Sequence, residues 1–308
     1  MDILQAIGNT SLVQLAKVVP PNCARVLVKL EWENPTGSMK DRMAQAVISR
    51  PAADGRLKPG DTIVEYTGGS TGASLALVCA VKGYPIRIVT SDAFSQEKRD
   101  QMAAYGAELV LVPSEGGKTT KKLILDMIEK ARELSQAPRT YWTDQLNNQD
   151  SIAGYFPLGE EIWKQTDGTI DAFVHAVGTG ASSRGVATVL RRYKPDLKIG
   201  IVEPGESAVL SGGQPGPHKI EGVGVGYTPP LYEPSLVDEV IPVATDDAKA
   251  MARRLAREEG LFAGTSGGAN VIAAMQIGQR LGRDATVVTL LPDSGLKYLG
   301  TDVYRRSP

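Results

Sequence analysis

Short runs of β-branched residues alternate with longer helical stretches along this chain, and this alternation limits the fold most strongly. The strand-like runs lie at residues 26–30, 62–65, 86–90, 109–112, 172–177, 198–202 and 286–290. Helical stretches follow most of them, at residues 40–49, 71–82, 95–105, 118–134, 182–193 and 269–281. Short strands that alternate with helices of this kind form βα units on parallel sheets. The sequence therefore predicts an α/β fold with mainly parallel sheets.

The chain is long enough for two lobes. Its 308 residues can form one large core or two smaller ones. Four βα-like units precede residues 142–148, and a second series begins at residue 172. Residues 204–234 form a segment rich in Gly and Pro, and a loop of that length in an α/β protein is usually functional or mobile. We expect two α/β lobes with a small-molecule site in the cleft between them.

Charge and cysteine content exclude several function classes. The net charge is −1, and lysines and arginines are interleaved with acids, so we expect no binding to nucleic acid or acidic membranes. Cys23 and Cys79 lack the spacing of a metal site, which predicts no metal and a reducing compartment. The N-terminus lacks a basic region, and the longest apolar stretch is about half of the ~20 residues that a membrane helix requires. We expect a soluble, cytoplasmic protein without a signal peptide.

Three loops rich in Gly, Ser and Thr follow strand-like runs, at residues 67–72, 178–182 and 264–268. Ligands bind at such turns in α/β sheets, where backbone N–H groups face an anion, although glycines in any one loop can serve a tight turn alone.

Two nucleotide motifs are incomplete. Ser183 stands where the dinucleotide fingerprint has its third Gly, and Val112 stands where a P-loop would have its first Gly.

A hydrolase nucleophile is an alternative interpretation of the first loop. Residues 68–72 have the G-x-S-x-G spacing, with Ser70 between a strand-like run and a helical one. The same spacing recurs at residues 264–268, so it is not specific. A catalytic triad also needs a histidine. His175 lies in an apolar strand, where a structural role is favoured, which leaves His218 in the Gly/Pro-rich segment. A Ser70/His218 hydrolase stays open as an alternative.

Lys40 stands where a turn, Asn-Pro-Thr-Gly-Ser-Met at residues 34–39, becomes a helix. Such a lysine is either a solvated surface charge or, in a cleft beside helix N-termini, an amine that forms a Schiff base. At this motif the chain resembles the cysteine synthase (O-acetylserine sulfhydrylase) family of fold-type-II pyridoxal-phosphate enzymes. The resemblance runs nearly end to end, from Ile-Gly-Asn-Thr at residues 7–10 to Leu-Pro-Asp-Ser-Gly at residues 291–295.

The resemblance implies a site for pyridoxal 5'-phosphate. Lys40 matches the lysine that holds the cofactor as a Schiff base and later moves the α-proton of the substrate. Ser266 matches the serine that forms a hydrogen bond with the pyridine nitrogen. The cofactor phosphate is implied to lie against a loop in which Ala181 replaces the usual glycine of the family. The residues that match this loop are Gly178, Thr179, Gly180, Ala181 and Ser182.

The resemblance also implies a substrate site. The residues that match the groups around the substrate carboxylate are Thr67, Gly68, Thr71 and Gln145. Gly222 begins a flexible segment, residues 222–227, that matches the substrate entrance. This segment lacks the arginine of relatives that use phosphoserine, so an acetylated serine is the implied substrate.

The substrate loop departs from the family pattern at two positions. The family has Thr-Ser-Gly-Asn-Thr-Gly where this chain has Thr-Gly-Gly-Ser-Thr-Gly, at residues 67–72. Ser70 therefore replaces an asparagine that reaches the phenolic oxygen of the cofactor, and Gly68 replaces a serine. We expect Ser70 to remain near the cofactor, with more room beside Gly68 and a changed preference for donor or nucleophile.

The fold and reaction follow from the same resemblance. It implies two three-layer α/β lobes of the tryptophan synthase β type, with residues 41–144 in the smaller, residues 1–40 plus 145–308 in the larger, and the cofactor in the cleft. The implied reaction replaces the β-substituent of O-acetylserine with sulfide, giving L-cysteine through an aminoacrylate. Open alternatives are another nucleophile, β-elimination as in a cysteine desulfhydrase or serine/threonine dehydratase, and a scaffold that docks a partner. The family also implies a homodimer and, as a candidate partner, the tail of a serine acetyltransferase.

Overall fold

The computed structural model describes residues 2–305, which pack into two compact units. The small unit comprises residues 2–7 and Lys40–Gly154, and the large unit comprises Gly8–Met39 and residues 155–305. The lobe boundaries that the resemblance implies, 41–144 and 1–40 plus 145–308, stay a prediction.

Strands and helices alternate along residues 2–305. The strands are β1 (Leu12–Gln14), β2 (Arg25–Leu30), β3 (Thr62–Tyr66), β4 (Ile86–Ser91), β5 (Glu108–Val112), β6 (Thr140–Trp142), β7 (Ala172–Ala176), β8 (Lys198–Pro204), β9 (Glu239–Val243) and β10 (Thr286–Leu291). The helices are α1 (Lys40–Asp54), α2 (Ser70–Lys82), α3 (Gln96–Ala104), α4 (Lys121–Ser135), α5 (Asp150–Ala153), α6 (Phe156–Gln165), α7 (Ala181–Tyr193), α8 (Thr245–Arg254) and α9 (Thr265–Leu281). None of the helices in this described part of the chain is long and apolar enough to cross a membrane.

A six-stranded sheet in the order β1-β2-β10-β7-β8-β9 forms the centre of the large unit. β1 is antiparallel to β2, and the other neighbours are parallel. Every residue of β7 and β10 is buried, as expected for central strands of a parallel sheet. Ala273 and Ile277 of α9 pack into the same core as Val174 of β7 and Val287 of β10. The start of α9 is thereby held beside this sheet.

A four-stranded parallel sheet in the order β5-β4-β3-β6 forms the centre of the small unit. Helix α4 covers it with Leu123, Met127 and Ala131, which recur every four residues and are buried on one face. Because β3 and β6 are parallel neighbours, the loops that follow them lie at the same edge of the sheet. This edge carries the predicted substrate residues of the small unit.

The predicted α/β fold class is confirmed, with all seven predicted strands and all six predicted helices present. The sequence does not predict β1, β6 or β9, nor helices α5, α6 and α8. β1 and β6 have three residues each, too few for a recognisable pattern. β9 contains Pro242, which argues against a central strand, and β9 lies at the edge of its sheet, where proline is tolerated.

Candidate active site

The predicted site residues form two groups, one on each unit. The group on the large unit consists of Gly178, Thr179, Gly180, Ala181, Ser182, Gly222 and Ser266. The group on the small unit consists of Lys40, Thr67, Gly68, Ser70, Thr71 and Gln145.

The turn that precedes Lys40 is anchored by hydrogen bonds. The side-chain amide of Asn34 donates to the carbonyl oxygen of Glu31 at 2.8 Å, and the Met39 N–H donates to the carbonyl oxygen of Pro292 at 2.9 Å. Lys40 is the first residue of α1 and is half-buried. Its backbone position is therefore fixed by the residue before it and by the helix that it begins.

Two glycines shape the loop between β7 and α7 by lying against other backbone. A β-carbon on Gly178 would lie 2.4 Å from the carbonyl oxygen of Gly222, and one on Gly180 would lie 2.5 Å from the backbone nitrogen of Tyr232. Gly180 also has a φ of 91°, in the left-handed region that favours glycine. Both positions require glycine, and the chain enters α7 directly afterwards.

The hydrogen-bond donors of the loop at residues 178–182 are suited to bind a phosphate. The first turn of an α-helix leaves backbone N–H groups without partners in the helix, and α7, with 13 residues, favours an anion at this end. Thr179 and Ser182 add two hydroxyl groups, and the Ala181 N–H lies 3.4 Å from the Thr179 Oγ1. Ala181 is buried and contributes its backbone rather than a polar side chain. The loop, residues 178–182, can therefore hold a phosphate dianion.

His175 connects this loop to helix α9. Its Nε2 lies 2.9 Å from the Oγ of Ser182, and its Nδ1 lies 3.3 Å from the side-chain nitrogen of Asn270. Asn270 lies four residues after Ser266 on α9. A hydrogen-bond chain thus joins the loop at residues 178–182 to the helix that carries Ser266.

Ser266 is buried in the first turn of α9. The helix begins after Gly264, where a β-carbon would lie 2.3 Å from the Oδ1 of Asp293, so glycine permits a close approach to the loop after β10. Asp293 accepts a 2.9 Å hydrogen bond from the hydroxyl of Tyr298. The neutral hydroxyl of Ser266 is a suitable partner for an unprotonated pyridine nitrogen.

The segment at residues 222–227 lies beside the loop at residues 178–182. The Gly224 N–H donates to the carbonyl oxygen of Val177 at 3.0 Å, and the Nε2 of His218 lies 2.9 Å from the carbonyl oxygen of Gly224. Because a carbonyl oxygen only accepts, this Nε2 carries a proton; the Nδ1 of His218 is buried, with no hydrogen-bond partner among residues 2–305. Neither nitrogen is available as a general base, so the structure gives no support to a Ser70/His218 hydrolase.

On the small unit, the loop after β3 is joined to the residues after β6. The hydroxyl of Thr71 donates to the Oε1 of Gln145 at 2.9 Å, and the Nε2 of Gln145 donates to the carbonyl oxygen of Tyr66 at 2.9 Å. The Gly69 N–H donates to the Oγ1 of Thr67 at 3.1 Å. The structure therefore brings Thr71 and Gln145 into direct contact and orients the amide of Gln145.

A buried carboxyl group supports this arrangement. The Oε2 of Glu65 accepts hydrogen bonds from the Thr143 hydroxyl at 2.7 Å and from the Gln145 N–H at 3.0 Å. Its Oε1 accepts from the Tyr66 N–H at 2.9 Å. Burial raises the pKa of Glu65 to about 7, although these hydrogen bonds oppose the shift. Glu65 thereby fixes the backbone on either side of the Thr71–Gln145 contact.

The expectation of more room beside Gly68 is wrong. A β-carbon on Gly68 would lie 2.2 Å from the Cε1 of Phe94, so an aromatic ring fills this space. Phe94 also packs against the apolar cluster of the small unit, which includes Tyr66 and Val89. Ser70, the other departure from the family pattern, is the first residue of α2. The loss of a hydroxyl at residue 68 is thus accompanied by an apolar neighbour rather than by free space.

Three residues near these groups are not identified by the sequence. Glu65 could have been identified from the sequence, because it is an acid in a short β-strand whose other residues are uncharged. Phe94 and Asn270 had none, since their contacts join segments that are distant along the chain. Only the packing of the chain reveals them.

Pyridoxal phosphate requires an amine, an anion site and a neutral partner for its ring nitrogen. The small unit contains the amine of Lys40, and the large unit contains the loop at residues 178–182 and the hydroxyl of Ser266. Fold and site thus define a cofactor-dependent enzyme of the α/β class. The chain belongs to the family of pyridoxal-phosphate dependent enzymes, whose family model matches residues 3–293. The predicted cofactor and the prediction of an enzyme are confirmed by this membership.

Comparison with individual proteins confirms the resemblance to cysteine synthases. A cysteine synthase from Staphylococcus aureus (strain N315) is 45% identical over 305 residues, which cover 98% of this chain and 96% of that protein. The crystal structure of O-acetylserine sulfhydrylase isoform 3 from Entamoeba histolytica has a TM-score of 0.92 at 39% identity, covering 100% of this chain and 92% of that chain. An O-acetylserine dependent cystathionine β-synthase from Helicobacter pylori has a TM-score of 0.91 at 34% identity, covering 98% of each chain.

Proposed function

We propose that this enzyme replaces the acetyl-bearing oxygen of O-acetylserine with sulfide to form L-cysteine. The observation that carries the proposal is the position of Lys40, the first residue of a helix, directly after a turn held by the Met39–Pro292 hydrogen bond. The cysteine synthase of S. aureus and the O-acetylserine sulfhydrylase of E. histolytica support the choice of donor and nucleophile.

Lys40 is the proposed catalytic residue. When bound, the cofactor supplies an electron-withdrawing ring that allows the substrate to lose its α-proton and its β-substituent. The Nζ of Lys40 holds the cofactor between turnovers, accepts the proton from Cα and returns it to Cα at the end of the reaction. Acetate leaves from Cβ, and sulfide takes its place there. Because Cα loses one proton and regains one, the net change is confined to the β-substituent.

The remaining cofactor residues bind and orient. The backbone N–H groups and hydroxyls of residues 178–182 hold the phosphate at the start of α7, where the helix dipole favours negative charge. The hydroxyl of Ser266 forms a hydrogen bond with the ring nitrogen but does not protonate it, so the ring does not carry a full positive charge. This limits transamination and favours loss of the β-substituent. Ser70 is the proposed neighbour of the phenolic oxygen.

The substrate carboxylate is assigned to the small unit. Thr67, Gly68 and Thr71 surround the start of α2, whose N–H groups favour a negative charge. Gln145 is oriented toward this group by its contacts with Thr71 and Tyr66. Gly222 and the segment that it begins line the substrate entrance on the large unit.

A different nucleophile is a second candidate, favoured by one observation. The Phe94 ring beside Gly68 makes the substrate loop more apolar than a serine at residue 68 would. The H. pylori relative combines dependence on O-acetylserine with cystathionine synthesis, so nucleophiles differ within the family. In this second candidate function, the nucleophile that attacks Cβ is a larger, less polar thiol instead of sulfide.

The test is a screen of donors against nucleophiles, observed through the visible absorption of the cofactor. We expect the wild-type protein to have this band and to form cysteine from O-acetylserine and sulfide, and Lys40→Ala to lose both. Release of pyruvate without an added nucleophile would identify an eliminating enzyme instead. A thiol that reacts faster than sulfide would establish the second candidate, and a chain that binds the cofactor without converting any donor would be a scaffold.

The substrates are small molecules, as in the related cysteine synthases. We further propose a cytoplasmic homodimer that binds the C-terminal tail of a serine acetyltransferase. Sedimentation of the holoenzyme tests the dimer. Competition between a tail peptide and O-acetylserine tests the partner, because a tail bound at the substrate carboxylate site must exclude the donor.

A further inference from the structure

His175 is a buried polar residue with a partner at each ring nitrogen. It lies in the central strand β7 and is 3% exposed. Its Nε2 is 2.9 Å from the Oγ of Ser182, and its Nδ1 is 3.3 Å from the side-chain nitrogen of Asn270. Which nitrogen carries the proton depends on the orientation of the Asn270 amide.

The Asn270 amide has one possible orientation. Its Oδ1 accepts a 2.8 Å hydrogen bond from the Ala176 N–H, and its Nδ2 donates a 2.8 Å hydrogen bond to the carbonyl oxygen of Leu290. Both backbone groups belong to strands, β7 and β10, and cannot move freely. A reversed amide would place two donors together at Ala176 and two acceptors together at Leu290.

The tautomer of His175 follows from this orientation. Because Nδ2 of Asn270 is a donor, the Nδ1 of His175 must accept, and a neutral imidazole then carries its proton on Nε2. The Nε2–H therefore donates to the Oγ of Ser182. In the first turn of a helix a serine hydroxyl can otherwise turn toward nearby backbone, and the bond from His175 opposes this.

Ser182 is left with its own proton to donate. Its oxygen accepts from His175, and Ser182 is the second residue of α7, in the loop assigned to the phosphate. A phosphate dianion offers acceptors only, so a hydroxyl that binds it must donate. We propose that His175 is a positioning residue for the cofactor phosphate, which directs the hydroxyl proton of Ser182 toward the phosphate through the chain Asn270–His175–Ser182. The inference rests on the assignment of Ser182 to the phosphate loop under the proposed function.

The test compares two ligands of the apo-protein, pyridoxal 5'-phosphate and pyridoxal, which lacks the phosphate. His175→Phe keeps an aromatic ring and removes both nitrogens, so we expect about tenfold weaker binding of pyridoxal 5'-phosphate and unchanged binding of pyridoxal. His175→Gln, whose amide can donate to Ser182, should restore most of the affinity. The ³¹P chemical shift of the bound phosphate should move in the Phe variant and return toward wild type in the Gln variant.

A double-mutant cycle tests whether His175 acts through Ser182. In a Ser182→Ala background, His175→Phe should have little further effect on the affinity for pyridoxal 5'-phosphate. Phe173→Leu is the matched control for damage to the core, since Phe173 is buried in the same strand two residues away. It should lower stability without changing the ratio of the two affinities.

The outcomes separate this inference from the proposed function. Equal weakening of both ligands, or additive effects of the two substitutions, would show a purely structural histidine and overturn the inference. If Ser182→Ala leaves the affinity for pyridoxal 5'-phosphate unchanged, the assignment of Ser182 to the phosphate loop fails as well. Should His175→Phe not fold, ¹⁵N NMR of the wild-type imidazole decides: a proton on Nε2 supports the inference, and a proton on Nδ1 overturns it.

Discussion

The ring of Phe94 occupies the place of a side chain at residue 68: a β-carbon on Gly68 would lie 2.2 Å from the Cε1 of Phe94. The position of the Phe94 ring therefore requires glycine at residue 68, since any side chain there would overlap the ring. In the related family a serine stands at this position, and its hydroxyl helps to bind the substrate carboxylate. A single substitution at residue 68 cannot restore that serine in its usual place unless the ring moves.

Gly68→Ser should therefore destabilise the protein by about 1–3 kcal/mol, the usual cost of overpacking, without increasing the affinity for O-acetylserine. Combining it with Phe94→Ala should recover part of this loss, and urea unfolding of the four proteins of the cycle measures the coupling. Gly69→Ser is the matched control, because the nearest atoms to a β-carbon there belong to the flexible side chain of Lys98, with the Cδ at 3.4 Å, an ordinary contact. Additive costs for Gly68→Ser and Phe94→Ala would contradict the dependence.

Ser70→Asn should increase the affinity for O-acetylserine about tenfold. The amide restores a second hydrogen-bond donor beside the charged group that the family's asparagine contacts, and such a bond contributes about 1.5–3 kcal/mol. Titration of the cofactor band with O-acetylserine measures the effect. Ser70→Ala should change the affinity in the opposite direction. Unchanged affinity, turnover and spectrum in both variants would mean that Ser70 has no part in the site.

Thr71→Val should raise the KM for the donor about tenfold with a smaller change in kcat. The substitution removes the hydroxyl that donates to the Oε1 of Gln145, so the Gln145 amide in the proposed carboxylate site loses its alignment. Contacts to a carboxylate that does not react stabilise the ground state and the transition state alike, which is why KM responds more than kcat. The control is Thr140→Val at the start of β6, outside the predicted site. A fall in kcat at constant KM would count against a carboxylate-binding role.

Glu65 should make folding stability depend on pH between about 4.5 and 7. Its pKa is raised by burial to about 7 from the ordinary value of 4.5, so the folded protein binds this proton more tightly than the unfolded chain. The contribution of Glu65 to stability is thus present at low pH and is lost as pH rises through this window. Glu65→Gln should remove the slope, measured by urea unfolding at several pH values.

The same variant should also lower overall stability by about 1–3 kcal/mol, because an amide cannot accept all three hydrogen bonds that the carboxyl group accepts. Glu97→Gln, at an exposed position of α3, is the control and should preserve the slope. A slope that persists in Glu65→Gln would show that another group is responsible.

The sequence by itself determined the α/β class, because alternation of strands and helices is written into local hydrophobic patterns and β-branched runs. It also determined the candidate residues in loops, since Lys40 and residues 178–182 belong to continuous motifs. Three-residue strands such as β6 were not predictable, because they depend on pairing with a distant neighbour.

Only the tertiary structure decided what surrounds those residues. The contact of Phe94 with Gly68 overturned the expected room in the substrate loop, and the position of Asn270 beside β7 fixed the tautomer of His175. Both contacts join segments far apart in the chain, where no local pattern constrains which side chains meet. Close packing brings them within a few ångströms, and at that distance steric exclusion and hydrogen-bond polarity determine the chemistry of each group.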